Sequence, residues 1–238
     1  ATSAFSSYSG CRQYREDLYD ATTGLTIELD RLRHYFNHPG FVTPFVDATR
    51  AALADAPDGT HVVFVTHSIP TVMNEVSGGP GERFYERQHQ AVAALVADGA
   101  GAEAFSLAYC SRSGSPHTPW LEPDVNDHLE QRSEDGVESV VVVPIGFISD
   151  HMEVIYDLDT EAAETAERLG LRFRRVDTPA PQPAFVEMVR ELLLERAAAE
   201  RGEDSDRPAL GDFGPSHDRC PVGCCANQRA DLPTIGGA

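Results

Sequence analysis

Residues 140–143 are four consecutive valines, and that run constrains the fold more than anything else in the chain. A strand with one wet face alternates apolar and polar side chains. A strand that does not alternate must be covered on both faces, a condition met in parallel sheets flanked by helices. The run ends at Pro144, so the strand is read at 140–144, and similar runs bounded by breakers predict strands at 62–66 (VVFVT), 104–109 (AFSLAY) and 171–176 (LRFRRV). Helical spacing fills 82–98, 124–134, 151–169 and 181–200, and Gly170 stands where a helix ending at Leu169 takes its C′ residue. Strands alternating with helices make βαβ units, so the fold class is α/β, a parallel sheet with helices on both faces. Residues 9–21 and 43–56 also carry helical patterns, separated by a stretch whose His38-Pro39-Gly40 reads as a turn.

Composition removes several function classes. The chain of 238 residues holds 38 acidic side chains against 19 basic ones, all of them arginine, and such a surface is a poor partner for nucleic acid. No stretch reaches the roughly 18–20 apolar residues of a membrane span, and no basic n-region precedes an apolar segment. The expected location is therefore the cytoplasm. The sequence opens on ATSAF without a methionine, as a fragment of a longer protein would. Five cysteines make no even extracellular framework, and three of them crowd into RCPVGCC at 219–225, a density that points to a metal or cluster in a reducing compartment. The polar, Pro- and Gly-rich segment before them reads as a mobile linker.

Ligands of open parallel sheets bind beyond the carboxyl ends of the strands. His67 follows VVFVT, and GFISDHMEVIYDLDTE follows the valine strand. Asp150 and Glu153 fit a capping box at a helix start, which is the plain account of both. It does not cover Asp157 and Glu161, which continue a row of like charges at i, i+4 spacing from Glu153 and cost a helix about 0.2–0.5 kcal/mol per pair. Ile155, Leu158 and Ala162 supply the apolar stripe beside that row. Two accounts remain, a solvated acidic face and a path for a divalent first-row ion such as Fe²⁺ held by oxygen and imidazole ligands. His67 set across a cleft from Glu153 is a candidate acid/base or metal ligand. Trp120 in SRSGSPHTPW is either core or an aromatic on which a flat ligand stacks.

Taken together, THSIP, SRSGSPHTPWLEP and VVVPIGFISDHMEVIYDLDTE resemble the ferrochelatases, enzymes that insert Fe²⁺ into a porphyrin in haem biosynthesis, and the resemblance extends through YSGCRQYRE and HPGF to most of residues 1–200. It implies a chelatase-like, Rossmann-like doubly wound fold. Residues 1–56 would end a first chelatase domain and supply crossover helices, 57–200 would form the second domain with the metal-site motif, and 201–238 would be the linker and Cys-rich tail. The first domain of the family is not in this sequence. His67 and Glu153 become the catalytic pair, and His67, Glu153, Asp157 and Glu161 the metal-handling residues. Asp150 and His151 support them, and Trp120 lies near the macrocycle. Some ferrochelatases carry a [2Fe–2S] cluster on four thiolates, which here would be Cys11, Cys220, Cys224 and Cys225, with zinc as the rival occupant. Cys110 is left as a buried thiol. Cluster-bearing bacterial relatives act on coproporphyrin III, so the implied partners are that porphyrin and other haem-pathway enzymes. The alternative function is a non-catalytic [2Fe–2S] or metal-binding fragment of the same scaffold.

Overall fold

The computed structural model, which describes residues 3–115 and 117–236, places every predicted strand and major helix within a few residues of its expected span. A π-helical turn at Tyr8–Arg12 runs into α1 (Gln13–Thr22), followed by α2 (Pro39–Ala54), β1 (His61–His67), α3 (Thr71–Glu75), α4 (Phe84–Ala100) and β2 (Phe105–Cys110). Then come α5 (Val125–Glu134), β3 (Ser139–Val143) and α6 (Met152–Val154), which continues through a π-helical segment, Ile155–Ala162, into α7 (Ala163–Leu169). β4 (Arg172–Arg175) and α8 (Pro183–Glu200) complete the regular elements. Gly170 ends α7 in the left-handed region, φ 71°, as its position predicts.

The four strands pair in parallel in the order β2-β1-β3-β4. Alternate residues of each central strand enter different cores. Val62, Phe64, Val141 and Val143 face α2, α4 and α8, whereas Val63, Val65, Val140 and Val142 face α5 and the helix after β3. All four valines of the run are therefore buried without any alternation, as a sheet covered on both faces requires. From β1 the chain steps to β2 on one side, then crosses to β3 on the other. That reversal leaves a crevice between the carboxyl ends of β1 and β3.

Residues 39–54 share the first core, since Phe41, Val42 and Phe45 pack in the same cluster as Val62 and Phe64. The tripeptide His38-Pro39-Gly40, expected as a turn, is instead the start of α2. His38 caps it by accepting from the Gly40 N–H at 3.0 Å, and Pro39 sits at the first helical position, where its missing N–H costs nothing. Gly40 is needed there because a β-carbon would come within 2.6 Å of Met188 Cβ and 2.7 Å of the Ala184 carbonyl on α8. Downstream of α8, the segment expected to be a mobile linker lies along the core. Asn37 donates to the carbonyls of Leu210 and Gly214, and Phe213 packs edge-on against Phe36 at 5.5 Å. Among the described residues no helix is long and apolar enough to cross a membrane.

Candidate active site

His67 ends β1 on a backbone fixed from beneath by a polar chain. The Thr66 hydroxyl lies 2.8 Å from His89 Nε2, His89 Nδ1 lies 2.6 Å from the Tyr85 carbonyl, and the Tyr85 hydroxyl donates to the His67 carbonyl at 2.7 Å. A carbonyl only accepts, so His89 carries its proton on Nδ1 and receives the Thr66 hydroxyl at Nε2. Burial holds the His89 pKa down at about 3, and its neutral ring stacks on Phe5 at 3.6 Å. The residues supporting His67 are thus rigid and uncharged.

The chain leaving β3 must pass close to this point. Gly146 donates its N–H to the Val65 carbonyl at 3.2 Å. A β-carbon there would lie 2.0 Å from Thr66 Oγ1 and 2.8 Å from Thr66 Cα, so only glycine allows the approach. Beyond it the next helix begins, and its cap is His151 rather than Asp150: the ring accepts from the Val154 N–H at 3.4 Å. Asp150 is engaged elsewhere, sharing Arg175 at the end of β4 with Asp159. The capping-box reading of Asp150 fails because that guanidinium offers a stronger, charge-assisted partner.

Glu153, in the first helical turn, brings Oε1 to 3.1 Å from His67 Nε2. His67 Nδ1 lies 2.5 Å from the Ser68 carbonyl and so carries a hydrogen, which leaves Nε2 as the atom facing the carboxylate. A hydrogen bond between that nitrogen and a carboxylate requires one proton shared by the two. Both side chains remain accessible, 36% and 46% exposed, so a ligand in the crevice can reach them.

The helix after Glu153 differs from the α-helix that the sequence spacing assumed. Its π-helical winding adds a residue per turn, and the buried residues become Val154, Leu158, Ala162 and Ala166, four apart throughout. Ile155, expected in the apolar stripe, is displaced from it and is 43% exposed. Glu153, Asp157 and Glu161 each precede a buried residue and so keep one line. Asp157 accepts a hydrogen bond from Ser111, at the end of β2, and Glu161 lies against Tyr156, whose pKa it raises. Among the described residues the ligand atoms of this row do not gather into a three-donor metal group, in contrast to His217, Cys220 and Cys224. The row is a succession of single carboxylates rather than a cage.

A cleft of about 610 Å³ opens over the pair. Its other walls include Trp120, His151, Ser9, Gly10, Tyr14 and Arg229. Trp120 bridges to Pro70 through the backbone, and its indole N–H is buried without a partner among the described residues. His151 meets Phe147 edge-on at 5.6 Å. Nothing in the sequence marks Ser9, Gly10, Tyr14 or Arg229 as cleft residues, since nothing local ties them to a crevice built from strand ends.

Behind the wall formed by residues 8–14, Cys11, Cys220, Cys224 and Cys225 make a separate buried cluster. Arg31 donates to Cys11 Sγ at 3.4 Å and to Cys220 Sγ at 3.1 Å, and the Gly78 N–H donates to Cys225 Sγ at 3.3 Å. Hydrogen bonds from Cys11 and Cys224, then one with His217 and the Arg31 charge, hold the Cys220 thiol far below its ordinary range against the opposing effect of burial, while Cys11 is pushed up. Donors pointed at sulfur favour thiolate, the form that binds metal. Adjacent Cys224 and Cys225 both reach the cluster, their sulfurs 3.7 Å apart, because Cys225 takes a left-handed backbone, φ 53°. Cys110 lies apart, buried at the end of β2, and burial raises its thiol pKa.

The sequence pattern of a protein family described as Ferrochelatase matches residues 1–197. The coproporphyrin III ferrochelatase of Streptomyces griseus subsp. griseus is 53% identical to this chain, covering 100% of it and 68% of the relative. That of Frankia alni is 48% identical, covering 96% of this chain and 61% of the relative. The chain thus spans about two thirds of the length of these relatives. Among solved structures, SirB from Bacillus subtilis with Fe3+ matches at a TM-score of 0.55 and 14% identity, over 85% of this chain and 72% of that one, a likeness of fold alone.

Proposed function

The chain belongs to the ferrochelatase family, and from that premise we propose that it inserts Fe²⁺ into coproporphyrin III in haem biosynthesis, with release of two protons. The observation that carries this reading is the His67–Glu153 pair, 3.1 Å apart, at the mouth of a cleft straddling β1 and β3. A porphyrin presents inner N–H groups where the metal must enter. Those protons need an acceptor within hydrogen-bond reach, and a histidine already sharing a proton with a carboxylate can take one and pass one on. Once the shared proton passes to Glu153, which releases it toward solvent along its exposed side, His67 Nε2 is free to receive the next proton from the ring. Asp157 and Glu161 conduct Fe²⁺ to the ring as single, weakly holding carboxylates, the arrangement that lets a cargo ion leave again. Trp120 supplies an apolar face for the macrocycle.

In the same reading Cys11, Cys220, Cys224 and Cys225 hold a [2Fe–2S] cluster. Four buried sulfurs with N–H donors aimed at them from Arg31 and Gly78 fit an anionic four-thiolate group. When bound, the cluster supplies metal–thiolate bonds that tie the tail to the π-helical turn at Cys11. Five free thiols in one chain fit a reducing, cytoplasmic setting.

Turnover of coproporphyrin III with Fe²⁺, followed as loss of free-porphyrin absorption, tests the catalytic assignment. His67→Ala and Glu153→Ala are each expected to abolish metal insertion while leaving the circular dichroism spectrum unchanged. Full turnover by both variants would sink it.

A further inference from the structure

The segment after the last cysteine does more than close the cluster. Asn227 clamps it to the front of the chain, its Nδ2 donating to the Tyr8 hydroxyl at 3.0 Å and to Glu16 Oε2 at 3.1 Å. The Asn227 side-chain oxygen accepts from the Arg229 N–H at 2.9 Å and the Ala230 N–H at 3.3 Å. A few residues later Arg15 holds the chain again, through the Ile235 carbonyl at 2.7 Å and Thr234 Oγ1 at 2.8 Å. Between these two fixed points stands Arg229, on the wall of the cleft that holds His67 and Glu153.

Its charge is unmatched. Acids outnumber arginines two to one in this chain, and most guanidinium groups are taken up by carboxylates, as Arg33 is by Glu195 and Arg175 by Asp150 and Asp159, while Arg15 and Arg31 are held by carbonyl, hydroxyl and sulfur acceptors. Among the described residues, Arg229 and Arg172 make no side-chain hydrogen bond or ion pair, and only Arg229 faces the cleft. A planar guanidinium held on a fixed stretch of backbone matches a carboxylate by two parallel hydrogen bonds. Arg229 lines the same cleft as Ser9, Gly10 and Tyr14, and a flat ligand whose inner nitrogens face His67 turns its rim toward the cleft walls.

We propose that Arg229 binds a rim carboxylate of the porphyrin and so helps decide which porphyrin the cleft accepts, with the cysteine tail as the arm that holds it in place. The proposal rests on the porphyrin reading of the cleft. It links the cluster to substrate choice by a short mechanical path, from Cys225 through Asn227 to Arg229, without any change at His67.

Porphyrin binding by the full chain tests this, read from fluorescence quenching with coproporphyrin III and, separately, with its methyl ester. Arg229→Ala is expected to weaken binding of the acid about tenfold, the effect of ~1.4 kcal/mol, and to leave binding of the ester unchanged. Arg229→Lys recovers part of the loss, and Asn227→Ala loses less than Arg229→Ala. Arg172→Ala, which removes an equally unpaired charge at the start of β4, is expected to bind the acid as the unsubstituted chain does. Equal binding of the acid by Arg229→Ala and the unsubstituted chain overturns the proposal, as does an equal loss for acid and ester. Failure of the unsubstituted chain to bind coproporphyrin III would overturn the functional reading itself, and this inference with it.

Discussion

Replacing Gly146 by alanine probes whether His67 and Glu153 owe their 3.1 Å approach to the close passage of two strand ends. The added methyl would lie 2.0 Å from Thr66 Oγ1, 2.6 Å from Thr66 Cβ and 2.8 Å from Thr66 Cα. The hydroxyl is held by His89 and the Cα is backbone, so neither can swing aside. Ordinary contact starts at 3.4 Å, and restoring it at Cβ, which the backbone fixes as firmly as Cα, means separating the segments by roughly 0.8 Å, an overpacking that costs about 1–3 kcal/mol. Weakening the Gly146–Val65 hydrogen bond adds about 1 kcal/mol. Because that separation opens the spacing of His67 and Glu153, the proposed catalytic role of the pair predicts that turnover drops by up to about 10²-fold, the scale of an ångström-level misplacement. Urea denaturation reads the first effect, and the initial rate of Fe²⁺ insertion by the folded protein reads the second. Thr66→Ala added to Gly146→Ala removes the contact at Oγ1 but leaves those at Cβ and Cα, so it restores only part of both losses. Wild-type stability in Gly146→Ala would refute the steric argument, and lost stability with an unchanged rate would refute the link to the pair.

Arg33→Leu strands Glu195 in the core, where the pair is bonded at 2.6 Å, and should cost about 3–5 kcal/mol in a denaturant titration. Arg207, 3.1 Å from the same carboxylate, places the result toward the low end, and Arg33→Leu with Glu195→Leu should be milder than Arg33→Leu alone. Acid should destabilise the fold through its buried imidazoles. Burial holds His89 at about 3 and His128 at about 4, so both stay neutral in the native state while the unfolded chain takes up protons below about 6.5. Their contribution is complete above that pH and declines as pH falls toward 4, by up to ~1.4 kcal/mol per pH unit for each ring. Denaturation midpoints at pH 7.5, 6 and 5 check it, and a profile flat over that range would contradict it. Cys220→Ser is expected to abolish the visible absorption of a reconstituted cluster, whereas Cys110→Ser leaves it unchanged. Identical spectra from the two variants would remove the cluster assignment.

The sheet was legible because burial on both faces writes itself into local composition: the valine run needs no information from elsewhere in the chain. His67 and the segment around Glu153 were legible for a related reason, since the residue after a parallel strand has a fixed place at the carboxyl edge. What sequence spacing could not carry is whatever depends on winding or on distant chain. The π-helical winding keeps Ile155 out of the buried stripe and Val154 in it, whereas the stripe of Ile155, Leu158 and Ala162 presumes an α-helical period. His38 and His151 act as caps, a role their residue type advertises poorly beside Asp150. Arg229 lines the cleft on a segment that Asn227 clamps to Tyr8 and Glu16, more than 200 residues away, and nothing in the Cys-rich tail around it points to that cleft.

The meeting of the tail with the first helix also bears on the unfolded chain. Arg15 and Ile235, 220 residues apart, lie side by side, with the four sulfurs next to them. Any group that bonds Cys11 to Cys220 therefore closes nearly the whole polypeptide into a ring. By the entropy of loop closure, a permanent link of that span would take about 5 kcal/mol of freedom from the denatured ensemble. A metal group acts as such a link only while bound, so the same protein would have two stabilities. Its resistance to unfolding would follow the supply of that group, and loss of the group would be felt first as a looser chain, before any residue of the cleft had changed.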